Sequence, residues 1–134
     1  MVKLLFAVME NKKYLKLNDI EAYRISFALS NSIWDMVLQW SPLAQHTVGQ
    51  QVIRAADSIS ANISEGFGRY SKKDKVKFYR YAQGSMYECF DWNEKSKLRK
   101  LITPEQHEHV LTELKKLPKA INSLVKYTNN HLAI

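Results

Sequence analysis

The stretch QVIRAADSISANISEGFGR, residues 51–69, reads as one helix with three distinct faces. At about 100° per residue, Val48, Val52, Ala55, Ala56, Ile59, Ile63 and Phe67 line up as an apolar stripe. Gln51, Arg54, Ser58, Asn62, Glu65 and Arg69 form a polar ridge beside it, with Glu65 and Arg69 spaced for an i,i+4 ion pair. Asp57, Ser60, Ala61, Ser64 and Gly68 leave the third face small, and no lysine occurs between Pro42 and Tyr70. Solvated helices carry long charged side chains outward, so this helix is expected to be contacted on nearly every side. A chain of 134 residues does not enclose a helix so fully by itself, and the pattern predicts an oligomer in which Gln51, Arg54, Ser58, Asn62 and Glu65 lie at a subunit seam. Gly66 and Gly68 are expected to end the helix, one of them in the left-handed conformation.

Start signals on either side place three more helices. Asn18 precedes Glu21 by three residues, Ser41 precedes Pro42, Ser71 precedes Asp74 by three, and Thr103-Pro104 precedes Gln106. These are N-cap and first-turn combinations. Helices are predicted at about 19–40, 42–69, 72–101 and 104–130. Connections this short force sequential helices to run antiparallel, and nothing alternates as a strand would. The expected fold is all-α: an antiparallel up-down-up-down four-helix bundle over residues 17–134, preceded by a poorly ordered or edge-docking arm over 1–16.

The first helix offers two apolar sets. Ile20, Tyr23, Phe27, Trp34 and Val37 read as the core stripe, with Leu29, Ile33 and Met36 a third of a turn away. In the third helix Tyr79, Ala82, Met86, Cys89 and Phe90 turn inward, leaving a charged line with Tyr81, Tyr87 and Trp92 near it. The fourth carries Val110, Leu114, Leu117, Ile121, Leu124, Val125 and Thr128, interrupted by Pro118.

The net charge of +7 is concentrated: residues 71–102 hold nine Lys and Arg against four Asp and Glu, and so supply +5 of it. Cys89 is the sole cysteine, which excludes an intrachain disulfide and suits a reducing cytoplasm. The apolar run Leu4–Met9 is too short for a signal peptide or a membrane span. No Glu-x-x-His pair of the di-iron bundle kind occurs. His107 and His109, with Glu105 and Glu108, point around their helix rather than converging. No Ser/His/Asp set or paired carboxylate row is visible, so no catalytic residue, metal or cofactor is expected and the chain reads as a non-enzyme.

Gln51, Arg54-Ala55-Ala56, Ser58-Ile59, Asn62-Ile63, Glu65-Gly66 and Arg69, followed by Ala82, Gly84-Ser85 and Glu88, resemble the signature of the 23S ribosomal RNA intervening-sequence proteins. The resemblance runs from about Leu17 to beyond Leu101. Ile53 stands where a second arginine is common in that family, and Ser64 where alanine is usual. What the resemblance implies is a four-helix bundle assembling as a five-membered ring. It also extends to the accessory proteins of diversity-generating retroelements, which bind nucleic acid and a reverse transcriptase. The family supplies no catalytic residue to carry over.

Charge and resemblance together lead to a non-catalytic module that contacts RNA or DNA through phosphates. The candidate contacts are Arg69, Lys72, Lys73, Lys77, Arg80, Lys95, Arg99 and Lys100. No helix-turn-helix, RNP-like strand or zinc finger is present to read bases. Affinity would therefore come from phosphates, multiplied around a pentamer to about +35 from five +7 chains. The alternative is a protein–protein scaffold or an accessory subunit, for instance of a reverse transcriptase.

Overall fold

In the computed structural model, which describes residues 15–132, four long helices account for most of the described residues: α1 (Glu21–Val37), α2 (Gln50–Gly68), α3 (Lys72–Leu98) and α4 (Pro104–His131). Among the described residues there is no strand. Most of the predicted arm lies outside the described residues; Leu15 packs against the core and Leu17–Asp19 form a single 3-10 turn before α1.

Each helix packs on its sequential neighbour, and α1 meets α4 to close the bundle. Asn93 on α3 donates to the carbonyl of His107 on α4 at 3.1 Å, and Gln83 donates to Asn122 at 2.9 Å. Residue numbers that fall on one helix as they rise on the other mark α3 and α4 as antiparallel. The core holds the predicted stripes of α2 and α4 almost complete, with Ile59, Ile63, Leu114, Leu117 and Ile121 wholly buried. Phe67 is only half-buried, and Gly66 takes its place inside.

Three of the four predicted caps are made. Ser71 accepts from the Asp74 amide at 3.2 Å, Ser41 from Ala44 at 3.3 Å, and Thr103 forms a reciprocal capping box with Gln106. Asn18 does not cap α1: the N-cap is Ile20, and the Asn18 carbonyl instead accepts from Arg24 at 2.8 Å. The intervening 3-10 turn shifts the helix start two residues past the sequence signal. α1 also ends earlier than expected, at Val37, where the Gln45 side chain donates to the carbonyls of Val37 and Leu38 at 3.0 and 3.1 Å. The run into α2 begins at Pro42 and includes a π-helical turn, Gln45–Gly49.

The glycines correct a further expectation. Neither Gly66 nor Gly68 is left-handed; both lie within α2, and Arg69 leaves in extended conformation. A Cβ on Gly66 would stand 2.7 Å from the Tyr79 ring and 2.9 Å from the Lys75 carbonyl oxygen. Its role is therefore close approach of α2 to α3. The left-handed residue is Lys100, at φ 59°. The Leu101 amide there bonds to the Ser96 carbonyl at 2.9 Å and the Lys100 amide to Lys97 at 3.0 Å, the Schellman closure that ends α3 at Leu98.

The first helix buries its expected stripe only in part: Ile20 and Val37 are inside and Tyr23 is half-buried, but Leu29 and Ile33 of the second set take the core in place of Phe27 and Trp34. Ala22, Ser26, Leu29, Ser30, Ile33 and Val37 are buried, while Phe27, Trp34 and Leu38 are each about half exposed, at 53%, 51% and 52%. Ser26 and Ser30 enter the interior without unmet hydroxyls, because each donates back to its own helix, to Ala22 at 2.7 Å and Phe27 at 2.9 Å. Small side chains there allow the close helix spacing that two aromatic rings would prevent.

Candidate nucleic-acid interface

The outward face of α3 repeats at i, i+4 and i+7 and carries Lys73, Lys77, Arg80, Tyr81, Tyr87, Lys95 and Arg99 on one stripe. Tyr81 and Tyr87 are exposed as expected, Tyr87 by 65%. Trp92 is half-buried, with the Lys95 ammonium 4.7 Å from its ring centroid. Asp91 and Glu88 lie among these residues, and Lys95 pairs with Asp91 at 2.6 Å. At 27 residues α3 is about 40 Å long. The eight candidate residues therefore form two groups at opposite ends of the bundle, with Arg80 between them.

The group at the α2–α3 turn is Arg69, Lys72, Lys73 and Lys77. Arg69 reaches the Glu65 carboxylate at 2.6 Å, the i,i+4 pair anticipated from the sequence, and its guanidinium sits 4.5 Å from the centre of the Phe78 ring. Lys77 lies 5.2 Å from the same ring and 3.7 Å from Asp74. Lys72 and Lys73 have no carboxylate partner among the described residues. They occupy the first two positions of α3, at the positive end of its dipole, where a cation lowers helix stability. The exposed Tyr70 precedes them.

The other group, Lys95, Arg99 and Lys100, surrounds the C-terminus of α3, where the dipole favours cations. Fold stability alone explains basic residues there. Arg80 is held by polar neighbours, Gln83 at 2.8 Å and Asn122 at 3.5 Å, rather than by an acid.

The polar ridge of α2 satisfies itself within the single chain. Ser58 donates to the Arg54 carbonyl at 2.7 Å and Asn62 to the Ser58 carbonyl at 2.8 Å. Gln51, Arg54 and Glu65 are exposed, as are Asp57, Ala61 and Gly68 on the small face. Among the described residues no second set of polar groups meets this ridge.

Two arrangements were not read from the sequence. His107 is buried and its Nε2 lies 2.6 Å from a Glu94 oxygen, a link between α3 and α4 thirteen residues apart that no local spacing announces. Lys75 turns away from the basic group and donates to the Phe67 carbonyl at 2.7 Å. Its spacing to Tyr79, Ala82 and Met86 (i, i+4, i+7, i+11) puts it on the inward face and was a usable signal. Cys89 is buried as expected, and its apolar surroundings push the thiol up to about 12. Among the described residues no three His, Cys, Asp or Glu side chains group as a metal site.

The family described as 23S rRNA-intervening sequence protein matches residues 18–123, from the turn before α1 to most of the way along α4. The chain belongs to this family. Within solved structures the bundle is similar to a protein of unknown function from the S23 ribosomal protein family of Bacteroides thetaiotaomicron. The TM-score is 0.70 at 22% identity, over 78% of this chain and 98% of that one. At that identity the likeness is one of fold. No curated protein is significantly similar to the chain. The stretch matched to the 23S rRNA-intervening sequence proteins includes both basic groups and the whole α2 ridge. No helix among the described residues is long and apolar enough to cross a membrane.

Proposed function

We propose that this member of the 23S rRNA-intervening sequence proteins is a non-catalytic, ring-forming module that binds RNA or DNA through backbone phosphates. The observation that carries this reading is the placement of Lys72 and Lys73. Among the described residues they have no carboxylate partner, and they stand at the positive end of the α3 dipole, beside Arg69, Lys77 and the exposed Tyr70. Cations in that position reduce stability, and an anionic partner is what makes them useful. The family name points to an RNA context, and phosphate contact requires no base-reading element, of which the bundle offers none. Assembly is supported by surfaces a monomer would leave wet: Phe27 and Trp34 on α1, Leu38 just after it, and the lysine-free outer face of α2. Five copies would set the same modest cluster around an axis and convert weak contacts into avidity. A cytoplasmic setting is in keeping with the single buried thiol.

The test is titration of labelled RNA and DNA at 50 and 200 mM salt. Each phosphate neutralised contributes about −0.7 to −0.9 to the slope of log K against log salt. Replacing Lys72, Lys73 and Lys77 by Gln should flatten that slope and leave the fold intact. The triple variant should also be no less stable than the parent, since removing the Lys72 and Lys73 cations from the helix N-terminus gains about 0.3–1 kcal/mol each. If neither nucleic acid binds below about 10 μM at the lower salt, a range already generous for non-specific contact, the phosphate reading fails. The exposed aromatic stripe of α1 then favours a protein scaffold, for instance an accessory subunit of a reverse transcriptase.

A further inference from the structure

At the end of the bundle opposite the α3–α4 turn, Leu15, Ile20, Phe67, Leu124 and Leu132 wall a cavity of about 200 Å³. Its lining is otherwise Lys75, Tyr79, Tyr127 and Thr128. The volume is below the roughly 300–1,000 Å³ of drug-sized sites, yet a dry cavity of about 150 Å³ already admits benzene. A short alkyl or aryl group fits such a space and a two-chain lipid does not.

The polar part of the cavity has one sign. Lys75 makes a single hydrogen bond, to the neutral carbonyl of Phe67 at 2.7 Å, and its ammonium lies 5.5 Å from the Phe67 ring centroid. No carboxylate among the described residues pairs with it: Asp74 goes to Lys77, Glu65 to Arg69 and Glu94 to His107. An ammonium has three donors, so two remain to be used. Partial burial lowers the Lys75 pKa. Thr128 is committed, donating to the Leu124 carbonyl at 2.8 Å. Burial holds the Tyr79 phenol well above its ordinary range, so it stays neutral and adds no charge.

We propose that this cavity binds a small monocarboxylate, its apolar tail between Phe67, Leu124 and Leu132 and its head on the Lys75 ammonium. One cation with two free donors matches one carboxylate, whose two oxygens accept and carry a single charge. The site is separate from the phosphate-binding cluster. Lys75 faces inward while Lys73 and Lys77 are exposed, so occupancy of one does not require the other.

The experiment is titration of the full chain with octanoate, 1-octanol and octylammonium, followed by calorimetry and by amide shifts in ¹H–¹⁵N spectra. Octanoate should bind at least about tenfold more tightly than the alcohol and the ammonium, as expected of a charge-assisted hydrogen bond worth about 1.5–3 kcal/mol. Shifts should centre on Phe67, Lys75, Leu124 and Thr128. Lys75→Met should weaken octanoate by about ten- to a hundredfold with octanol unchanged, and Lys75→Arg should keep most of the affinity. Lys72→Gln with Lys73→Gln should leave octanoate binding as it was. Equal binding of octanoate and octanol, shifts centred elsewhere, or no binding at millimolar octanoate would each overturn the proposal. Should Lys75→Met fail to fold, the three-probe comparison on the parent chain decides alone.

Discussion

Gly66→Ala is the substitution at which packing and helix propensity pull hardest against each other. Alanine is favoured over glycine in a helix interior by about 0.8–1.0 kcal/mol, so propensity by itself predicts a gain. The added Cβ, however, would sit 2.7 and 2.9 Å from two atoms of the Tyr79 ring and 2.9 Å from the Lys75 carbonyl oxygen. Tyr79 is buried and cannot swing clear, and the carbonyl belongs to α3 itself. Ordinary contact requires the two helices to part by several tenths of an ångström, and overpacking of this kind costs about 1–3 kcal/mol. Because a backbone atom is involved, the upper half of that range applies, and the net loss should be about 1–2 kcal/mol. In a domain of this size that lowers Tm by roughly 4–8 °C. Gly68→Ala is the control, since a Cβ there meets nothing within 4 Å. It should be neutral or stabilising by up to about 1 kcal/mol. Urea unfolding of both variants at one fixed chain concentration removes the effect of mass action on an oligomer. A Gly66→Ala variant as stable as Gly68→Ala would refute the close approach of α2 to α3.

Light scattering at micromolar concentration should return several times 15.6 kDa, and Ala61→Glu should reduce that mass without unfolding the chain, because Ala61 is exposed in the single subunit; a monomer in the parent sinks the ring. Lys100→Gly should raise stability by about 0.5–1 kcal/mol, since φ 59° costs a side chain that glycine lacks, with thermal unfolding as the measurement. The Cys89 thiol, pushed up to about 12, should resist a disulfide reagent at pH 8 and react only on unfolding. Because its folded pKa lies above the unfolded value of about 8.5, Cys89 contributes stability below that value and loses it as pH rises from there toward 12. Rapid labelling of the native chain would show that α3 opens at Cys89.

How much of the protein could be read in the chain depends on how local each feature is. Helix number, three caps, the α2 and α4 stripes and the Glu65–Arg69 pair rest on spacings of three or four residues, which one helical turn brings together whatever surrounds it. The basic bias of residues 71–102 was equally plain as a total, but its division was not. Only a rigid α3 about 40 Å long separates the Lys72–Lys77 group from Arg99 and Lys100 and sets the first against the helix dipole. On α1 two apolar faces share one period, so periodicity could not rank them. The fold chose Ala22, Ser26, Ser30 and Ile33 because small, self-bonded side chains let helices approach, and it left Phe27 and Trp34 outside. The roles of the glycines were likewise set by the neighbouring helix. Gly66 is inside because Tyr79 crosses it, while the left-handed turn fell to Lys100, a residue type that carries no signal for it. Sequence alone determined which segments are helices, where most begin and which faces α2 and α4 turn inward; which face of α1 enters the core, and which charges stand without partners, was decided by contacts between residues far apart in the chain.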